Sequence, residues 1–221
     1  MRPGWRPSGD QLDALLKSHL RPDSRVLDLG CGRGGAVELV WRDVDLAVGL
    51  DPDAPSLTGH RAAGMPVIRG VGERLPFAAG SFDLIVCVWV LEHLAEPVAT
   101  LREVTRVLKP GGHFLFLTPN LRHPLMLANR LGKALPRLQG RMVPRLYGRL
   151  EPDTFPVQYQ ANTAAAIARL AEAAGLRVAE LRVIPDPTYL AWGELMFRAA
   201  VLSERLLPRS RGIHLLGDLV K

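Results

Sequence analysis

Residues 26–35 constrain the fold of this chain most, because they join an apolar strand to a loop in which four of six residues are glycine. The segment reads Val-Leu-Asp-Leu-Gly-Cys-Gly-Arg-Gly-Gly. Glycine has no Cβ and readily adopts positive φ, so Gly30, Gly32 and Gly34 allow a sharp turn and a close approach to a ligand. Residues 34–42 then predict a helix, whose free N–H groups would attract an anion. The pattern predicts a strand–turn–helix unit that binds a nucleotide-like cofactor.

The glycines alone allow more than one kind of cofactor. Gly30, Gly32 and Gly35 also satisfy the G-x-G-x-x-G pattern of dinucleotide-binding proteins, with Asp51 at a plausible distance for a ribose-binding acid, so a dehydrogenase is one alternative. Asp28 favours another, because a carboxylate near the end of a buried strand is costly without a partner. The pyrophosphate of NAD would repel it, whereas S-adenosylmethionine carries a cationic amino group and a sulfonium. A tight turn without a ligand is the third alternative.

Short apolar runs alternate with helical patterns along the chain. We predict strands at 25–29, 46–51, 66–69, 82–88, 113–117, 176–184 and 213–220, and helices at 10–20, 34–42, 55–63, 97–108, 162–175 and 189–207. Continuous apolar strands separated by helices predict a parallel sheet that is covered on both faces. In such α/β sheets ligands bind beyond the carboxyl ends of the strands, where the glycine loop, Asp51 and the loop at 89–93 fall.

Several words of the sequence, spread over roughly residues 20–120, carry a resemblance to a known family. They are Asp28-x-Gly30-x-Gly32-x-Gly34, Asp51 at the end of the second apolar run, Gly70-Val-Gly-Glu-Arg-Leu-Pro-Phe77, Gly80-Ser-Phe-Asp-Leu-Ile-Val86, Val90-Leu-Glu-His-Leu94 and Leu108-Lys-Pro-Gly-Gly112. Together they resemble class I S-adenosylmethionine-dependent methyltransferases, in the type 11 or ubiquinone–menaquinone methyltransferase-like branch. The resemblance implies a Rossmann-like, doubly wound fold: seven mostly parallel strands, helices on both faces and the last strand antiparallel. We expect one such domain over residues 1–221.

The resemblance also implies which residues bind S-adenosyl-L-methionine and its product S-adenosyl-L-homocysteine. The expected cofactor-binding residues are Asp28, Gly30, Cys31, Gly32, Gly34, Asp51, Pro52, Val71, Gly72, Glu73 and Val88. In the family Asp51 matches the acid that binds both ribose hydroxyls. One position departs from the branch, which usually has an aspartate for the adenine amino group where this chain has Val71. Weaker cofactor binding is therefore expected, although the N–H of Gly72 can still meet the adenine ring.

The acceptor side offers one candidate base and several lining residues. His93, beside Glu92 after the fourth strand, is placed to remove a proton from a hydroxyl acceptor, and the alternative is that it only shapes the pocket. We expect Trp89, Asn120, His123 and Tyr159 to line the acceptor site. No metal site is expected, because no His/Asp/Glu cluster has ligand spacing and Trp89 replaces the first glutamate of the Glu-x-x-Glu-His word of some relatives. The expected reaction is O-methylation of a small-molecule or lipid-like acceptor.

An insertion at about 121–150 is strongly basic. Between 121 and 149 it holds seven basic residues and no acid, in a chain whose net charge is +6: Arg122, Arg130, Lys133, Arg137, Arg141, Arg145 and Arg149. With the apolar helix at about 189–207 it is expected to cap the acceptor pocket, which would suit an anionic acceptor or an anionic membrane surface. The alternative is a solvated surface loop.

The basic charge also raises an RNA methyltransferase as an alternative function. Against it, the fourth strand ends Val86-Cys-Val-Trp89, whereas enzymes that methylate base amino groups resemble one another in an Asn/Asp-Pro-Pro-aromatic word. We therefore expect no nucleic-acid partner. A pseudoenzyme that binds the cofactor without turnover is a further alternative.

The compartment follows from apolar runs and cysteines. The longest apolar run, Leu84 to Leu91, has eight residues, far fewer than the roughly 20 that span a bilayer. The first residues form no apolar signal region. We expect a cytoplasmic protein, peripheral to the inner membrane surface if the cap contacts lipid, with Cys31 and Cys87 as reduced thiols.

Overall fold

Seven strands form one sheet in the computed structural model, which describes residues 5–132, 156–190 and 193–221. The strands are β1 (Arg25–Leu29), β2 (Leu46–Asp51), β3 (Val67–Arg69), β4 (Phe82–Val88), β5 (Leu108–Pro119), β6 (Arg177–Ile184) and β7 (His214–Val220). Their order is β3-β2-β1-β4-β5-β7-β6. Strand β7 runs antiparallel to its neighbours β5 and β6, and the other neighbouring pairs among these strands are parallel. The predicted sheet, mostly parallel with an antiparallel last strand, is confirmed.

Helices cover both faces of the sheet, as predicted. They are α1 (Ser8–His19), α2 (Ala54–Thr58), α3 (Pro97–Val107), α4 (Pro124–Gly132), α5 (Ala164–Ala173) and α6 (Glu194–Leu206). One core joins α3 and α5 to the sheet through side chains such as Leu101 and Ile167. The second core lies on the other face, where Leu12 and Leu16 of α1 pack against it.

The helix predicted at 34–42 is wrong. Only a short 3-10 turn, Val37–Leu39, forms there. Gly34 has a φ of +114°, outside the helical region, and glycine lowers helix stability by roughly 1 kcal/mol per residue. A long-range contact also holds the segment, because the guanidinium of Arg61 donates to the carbonyl of Gly34 at 2.9 Å and to Glu38 Oε2 at 3.2 Å. No α-helix N-terminus therefore faces the glycine loop from residues 34–42.

Other elements differ from the predictions in extent. The helix predicted at 55–63 ends at Thr58, because Gly59 caps it. Strand β5 begins five residues before the predicted 113, since its pairing with β4 continues across a register shift between Phe82 and Leu84. The helix predicted at 189–207 consists of a 3-10 turn, Pro187–Leu190, and α6, with residues 191 and 192 outside the described part of the chain.

The basic insertion is described only at its start. Helix α4 carries Arg130, and Arg122 precedes it. Lys133, Arg137, Arg141, Arg145 and Arg149 lie outside the described residues.

Candidate cofactor and acceptor site

The carboxyl ends of the central parallel strands meet at one edge of the sheet. Leu29, the last residue of β1, pairs with Leu50 of β2, and Val88, the last residue of β4, pairs with Leu117 of β5. The glycine loop after β1, Asp51 at the end of β2 and the loop after β4 therefore converge. This is the edge at which ligands bind in open α/β sheets.

The glycine loop has the conformation that its sequence predicts. Gly30, Gly32 and Gly34 all have positive φ, at +78°, +51° and +114°. A side chain at Gly30 would collide with Val90, whereas a Cβ at Gly32 would have nothing within 4 Å. The space above Gly32 lets a ligand lie against bare backbone.

Asp28 is a buried carboxylate, and one of its oxygens lacks a hydrogen-bond partner among the described residues. It is 3% exposed, and its Oδ2 has no hydrogen-bond partner among the described residues. Burial, with smaller effects from Asp51 and Glu38, raises the pKa of Asp28 to about 7. A cation beside Oδ2 would favour the ionised form. This environment fits the amino group and sulfonium of S-adenosylmethionine.

The same geometry argues against a dinucleotide. Asp28, Asp51 and Glu38 are close enough for both neighbours to disfavour the Asp28 charge, so a pyrophosphate would add repulsion. A dinucleotide site also places the pyrophosphate at a helix N-terminus, which residues 34–42 lack here. The structure therefore favours the cationic cofactor over NAD.

Asp51 anchors the glycine loop to β2. Its Oδ2 accepts the N–H of Gly32 at 2.9 Å, and its Oδ1 accepts the N–H of Asp53 at 2.8 Å. A carboxylate oxygen can accept more than one hydrogen bond, so both oxygens keep capacity for ribose hydroxyls. Ribose binding by Asp51 stays a prediction, and anchoring the loop is the role that the contacts define.

Two predicted cofactor residues, Pro52 and Val71, line one cavity of about 380 Å³. Arg69 and Arg74 also line it, and Val71 occupies the position of the expected adenine-binding acid. Gly72 lies against helix α3, since a Cβ on it would come within 2.8 Å of Thr100 Cγ2. Adenine binding in this cavity stays a prediction, with Val71 where a carboxylate is expected.

The remaining predicted cofactor residues differ in their surroundings, and their contact with a cofactor stays a prediction. Cys31 donates its N–H to the carbonyl of Leu50 at 3.2 Å, and burial raises the pKa of its thiol to about 12, so it stays a thiol. Cys87 is also buried and free of a disulfide. Val88 is half-buried at the end of β4, and Glu73 is exposed.

The loop after β4 is held in a strained conformation. Trp89 has a φ of +59°, which is costly for a residue with a Cβ and is typical of functional sites. Its N–H donates to the carbonyl of Leu117 at 2.9 Å, and its ring meets the ring of His214 edge-on at 4.8 Å. Trp89 therefore couples this loop to the start of β7.

His93 is half-buried in the same loop, with a defined tautomer. Its Nδ1 lies 3.0 Å from the carbonyl oxygen of Pro156. A carbonyl only accepts, so Nδ1 carries a proton in this contact. In a general-base role, Nε2 would be the ring atom that takes up the acceptor proton.

The segment at 156–160 packs along this loop and brings Tyr159 to it. The N–H groups of Gln158 and Tyr159 donate to the carbonyl of Glu92 at 2.6 and 3.1 Å. Gln160 Nε2 donates to the carbonyl of Ala95 at 2.7 Å. Tyr159, buried and with a φ of +54°, thus lies beside the His93 loop.

A buried polar network supports the loop, and sequence reasoning missed most of it. Thr118 Oγ1 donates to Glu92 Oε2 at 3.0 Å and accepts from Asn162 Nδ2 at 2.7 Å. All three side chains are buried. Glu92 falls in a family-like word, but nothing in the sequence singled out Thr118 or Asn162.

Two predicted acceptor residues, Asn120 and His123, are buried after β5. Asn120 Nδ2 donates to the carbonyl of Gly212 at 2.7 Å, and its Oδ1 accepts the N–H of Arg122 at 3.0 Å. His123 accepts the N–H of Leu125 through Nδ1 at 3.2 Å, and burial lowers its pKa to about 4. These contacts shape the chain after β5, and acceptor binding by either residue stays a prediction.

Comparison with known proteins agrees with the site. Residues 27–116 match the model of a methyltransferase domain. A demethylmenaquinone methyltransferase of Corynebacterium kroppenstedtii is 34% identical over 102 residues, which are 45% of this chain and 44% of that protein. A ubiquinone biosynthesis O-methyltransferase of Hahella chejuensis is 35% identical over 121 residues, or 52% of this chain and 50% of that protein. The matches thus span about half the length of these relatives.

The likeness of fold extends further than the sequence match. The crystal structure of an S-adenosylmethionine-dependent methyltransferase from Mesorhizobium loti covers 94% of this chain, with 96% of its own length, a TM-score of 0.62 and 21% identity. The chain has the class I S-adenosylmethionine-dependent methyltransferase fold. Residues 27–116 match a methyltransferase domain, and S-adenosylmethionine is the cofactor that the site fits.

The charge of Asp28 predicts pH-dependent cofactor binding. The free carboxyl has a pKa of about 7 and must ionise to meet the cofactor amine, so protons compete below that pH. The affinity for S-adenosylhomocysteine should fall about tenfold per unit as the pH drops below 7, and level off above it. Calorimetric titration between pH 5.5 and 8 measures this.

Matched variants isolate the carboxylate. Asp28→Asn should bind more weakly at pH 8 and lose the pH dependence. Asp45 is an exposed acid that precedes the first residue of β2, at the end of the strand away from Asp51. The control variant Asp45→Asn should bind like the wild type. An affinity of the wild type that is constant over this range would refute the role of Asp28.

Restoring the acid at position 71 should tighten cofactor binding. Val71 lines the proposed adenine cavity, and a hydrogen bond to a charged group contributes about 1.5–3 kcal/mol, or about tenfold or more in affinity. Val71→Asp is compared with Val71→Asn, which has the same shape without the charge, by titration with S-adenosylhomocysteine. Unchanged or weaker binding by Val71→Asp would show that another group already serves the adenine.

Proposed function

We propose that this chain is an S-adenosylmethionine-dependent methyltransferase that methylates a hydroxyl of a small-molecule or lipid-like acceptor. The observation that carries the proposal is the buried Oδ2 of Asp28, which has no partner among the described residues and lies in β1 just before a glycine loop with open space at Gly32. A cation-bearing cofactor supplies what this oxygen lacks. The methyltransferase domain over residues 27–116 supports the same reaction class.

The chemistry divides between the cofactor and the protein. The sulfonium activates the methyl, and the protein chiefly holds the acceptor oxygen in line with it, which can lower the barrier by roughly 7–11 kcal/mol. With the cofactor bound, the acceptor oxygen would take the methyl group as the sulfur–methyl bond breaks, which would leave S-adenosylhomocysteine. The acceptor proton passes to Nε2 of His93, whose Nδ1 is held by the carbonyl of Pro156.

Two observations support a lipid-like acceptor of the quinone type. The relatives that match about half of this chain are named for menaquinone and ubiquinone biosynthesis, and one of them is an O-methyltransferase. The second observation is the exposed face of α6. Leu195, Ala199, Leu202 and Leu206 recur at i, i+4, i+7 and i+11 and form one exposed apolar row, which we name the α6 stripe.

The α6 stripe suits an anionic membrane surface, where such acceptors partition. Leu195 and Leu206 are 81% and 77% exposed. Arg198 and Arg205 flank the stripe on one side of the helix, and Arg209 and Arg211 follow it, all exposed. Apolar side chains beside cations bind anionic lipid surfaces by insertion and charge attraction. Within the described residues no helix is both long and apolar enough to cross a bilayer.

His93 as general base predicts a selective loss of turnover in His93→Gln. Methyl transfer to hydroxylated quinol acceptors should fall about 10²–10⁴-fold in kcat, because a positioned base contributes that much. The affinity for S-adenosylhomocysteine should stay unchanged, and the low-pH limb of the wild-type kcat profile should disappear. His60→Gln, in the loop after α2, is the matched control and should retain activity.

Three outcomes would alter the proposal. Wild-type kcat in His93→Gln would leave this residue only a shaping role. Cofactor binding without turnover on any acceptor would identify a pseudoenzyme. Turnover on RNA alone would replace the acceptor class.

The α6 stripe predicts binding to anionic vesicles. The double variant Leu202→Ser/Leu206→Ser should lose sedimentation with phosphatidylglycerol-containing vesicles, because it removes apolar area that inserts among lipid headgroups. Leu39→Ser, at another exposed leucine, should sediment like the wild type. Equal sedimentation of both variants, or none of the wild type, would exclude this surface as the membrane contact.

A further inference from the structure

Three metal-ligand side chains meet far from the proposed active site. His19 ends α1, His113 lies within β5 and Asp218 lies near the end of β7. His113 is six residues from Pro119, the end of β5 at the cofactor edge, which corresponds to roughly 20 Å along the strand. The cluster therefore takes no part in the cofactor site.

Regular secondary structure places all three on one face of the sheet. His19 follows Leu12 and Leu16 at i+7 and i+3, so it continues the α1 face that packs on the second core. Residues alternate along a strand, which puts His113 on the same face as Leu115. Asp218 pairs directly with Leu115 across the β5–β7 ladder, and it shares that face too.

The donor atoms converge. His19 Nε2 lies 3.1 Å from Asp218 Oδ2, and His113 Nδ1 lies 2.8 Å from Asp218 Oδ1. One ligand atom from each residue falls within 4.8 Å of the others, and the two imidazole rings are 4.0 Å apart at their centroids. Ligands at about 2.0–2.2 Å from one zinc ion lie about 3–4 Å apart, so small side-chain rotations would bring these three around a single ion.

The chemistry of the donor set points to a transition metal. Two imidazoles and one carboxylate are common ligands of Zn²⁺, and they leave a fourth position for water. The Asp218 side chain is only 6% exposed, so its charge is costly unless it is paired. The side chains of His19 and His113 are 22% and 27% exposed, which leaves a path for the ion and for that water.

We propose that His19, His113 and Asp218 form a structural binding site for a divalent transition metal ion of the Zn²⁺ type, which ties α1 to strands β5 and β7. The site is independent of the proposed methyl transfer. His113 and Asp218 are 105 residues apart in the chain, so the site exists only once the sheet has formed. An ion that binds the folded chain alone stabilises it by mass action.

Spacing in the sequence could not reveal this cluster, since each ligand comes from a different element. The expectation of no metal site rested on ligand spacing along the chain. It did not consider residues that strand pairing brings together.

The test is thermal unfolding and metal titration of the whole chain after treatment with a chelator. Zn²⁺ should bind one per chain and raise the Tm by about 5–10 °C at a hundredfold excess over its Kd. His19→Gln and His113→Gln should each weaken binding at least tenfold and abolish the Tm rise. His60→Gln should keep both.

A second test uses the visible absorption of Co²⁺ bound to the wild type, so it does not depend on how well a variant folds. Co²⁺ bound to the wild type should give visible absorption bands of a four- or five-coordinate site, and Zn²⁺ should displace them. Absence of saturable Zn²⁺ binding by the wild type would overturn the proposal and leave a hydrogen-bonded His–Asp–His cluster. Loss of binding in His60→Gln but not in His19→Gln would overturn it as well, by placing the ion elsewhere.

Discussion

The parallel pairing of β1 with both β2 and β4 is the constraint on which the site depends. Asp28 pairs with Gly49 on one side and Val86 on the other, so the three strands end in register. The loops that follow these strands therefore meet at one edge of the sheet. Gly49 is tightly enclosed, since a Cβ there would lie 2.7 Å from Cys31 Sγ, and the chain after β1 therefore turns directly over β2. The side-chain contacts of the cofactor site thus depend on the register of these strands.

Local sequence predicted the elements whose causes are local. Helix α5 begins where Thr163 accepts the N–H of Ala166 and ends before Gly175, whose φ is +78°, as its capping residues indicate. Glu194 and Arg198 of α6 are four residues apart, a spacing that favours an ion pair on a helix, and 2.7 Å separates Arg198 Nε from Glu194 Oε1. Glycines at 30, 32 and 34 adopt the positive φ that their positions suggested.

The failures have long-range causes. The apolar pattern at 34–42 indicated a helix, but it gives no account of Arg61, which holds Gly34 and Glu38 from 27 and 23 residues away. The network of Glu92, Thr118 and Asn162 joins three segments that only the folded sheet brings together. The apolar periodicity of a sequence indicates which face of a helix or strand a residue occupies, but it does not indicate which distant residue packs against that face. Side-chain clusters across strands are therefore the part of a site that a single sequence predicts least well.

Burial favours the uncharged forms of three ionisable side chains besides Asp28, namely His123, His214 and Glu204. Burial lowers the pKa of His123 to about 4 and also lowers that of His214, whereas it raises that of Glu204 to about 7. The two histidines make the folded chain less stable as the pH falls. Their rings take up protons near pH 6.5 in the unfolded chain but only near pH 4 in the folded chain, so their contribution to the free energy of unfolding is lost between these values. Glu204 has the opposite effect, because its pKa is raised by folding: its contribution to the free energy of unfolding is lost as the pH rises from 4.5 toward 7.

Asp28 differs from these groups in its surroundings. Glu204 and His123 face one another, with 3.8 Å between Oε1 and Nε2, within the protein interior. Asp28 instead lies under a glycine loop that leaves open space at Gly32. A cation bound beside Asp28 would favour its ionised form. With a pKa of about 7, this carboxylate can gain its charge together with a cation-bearing cofactor, which is the role proposed for it.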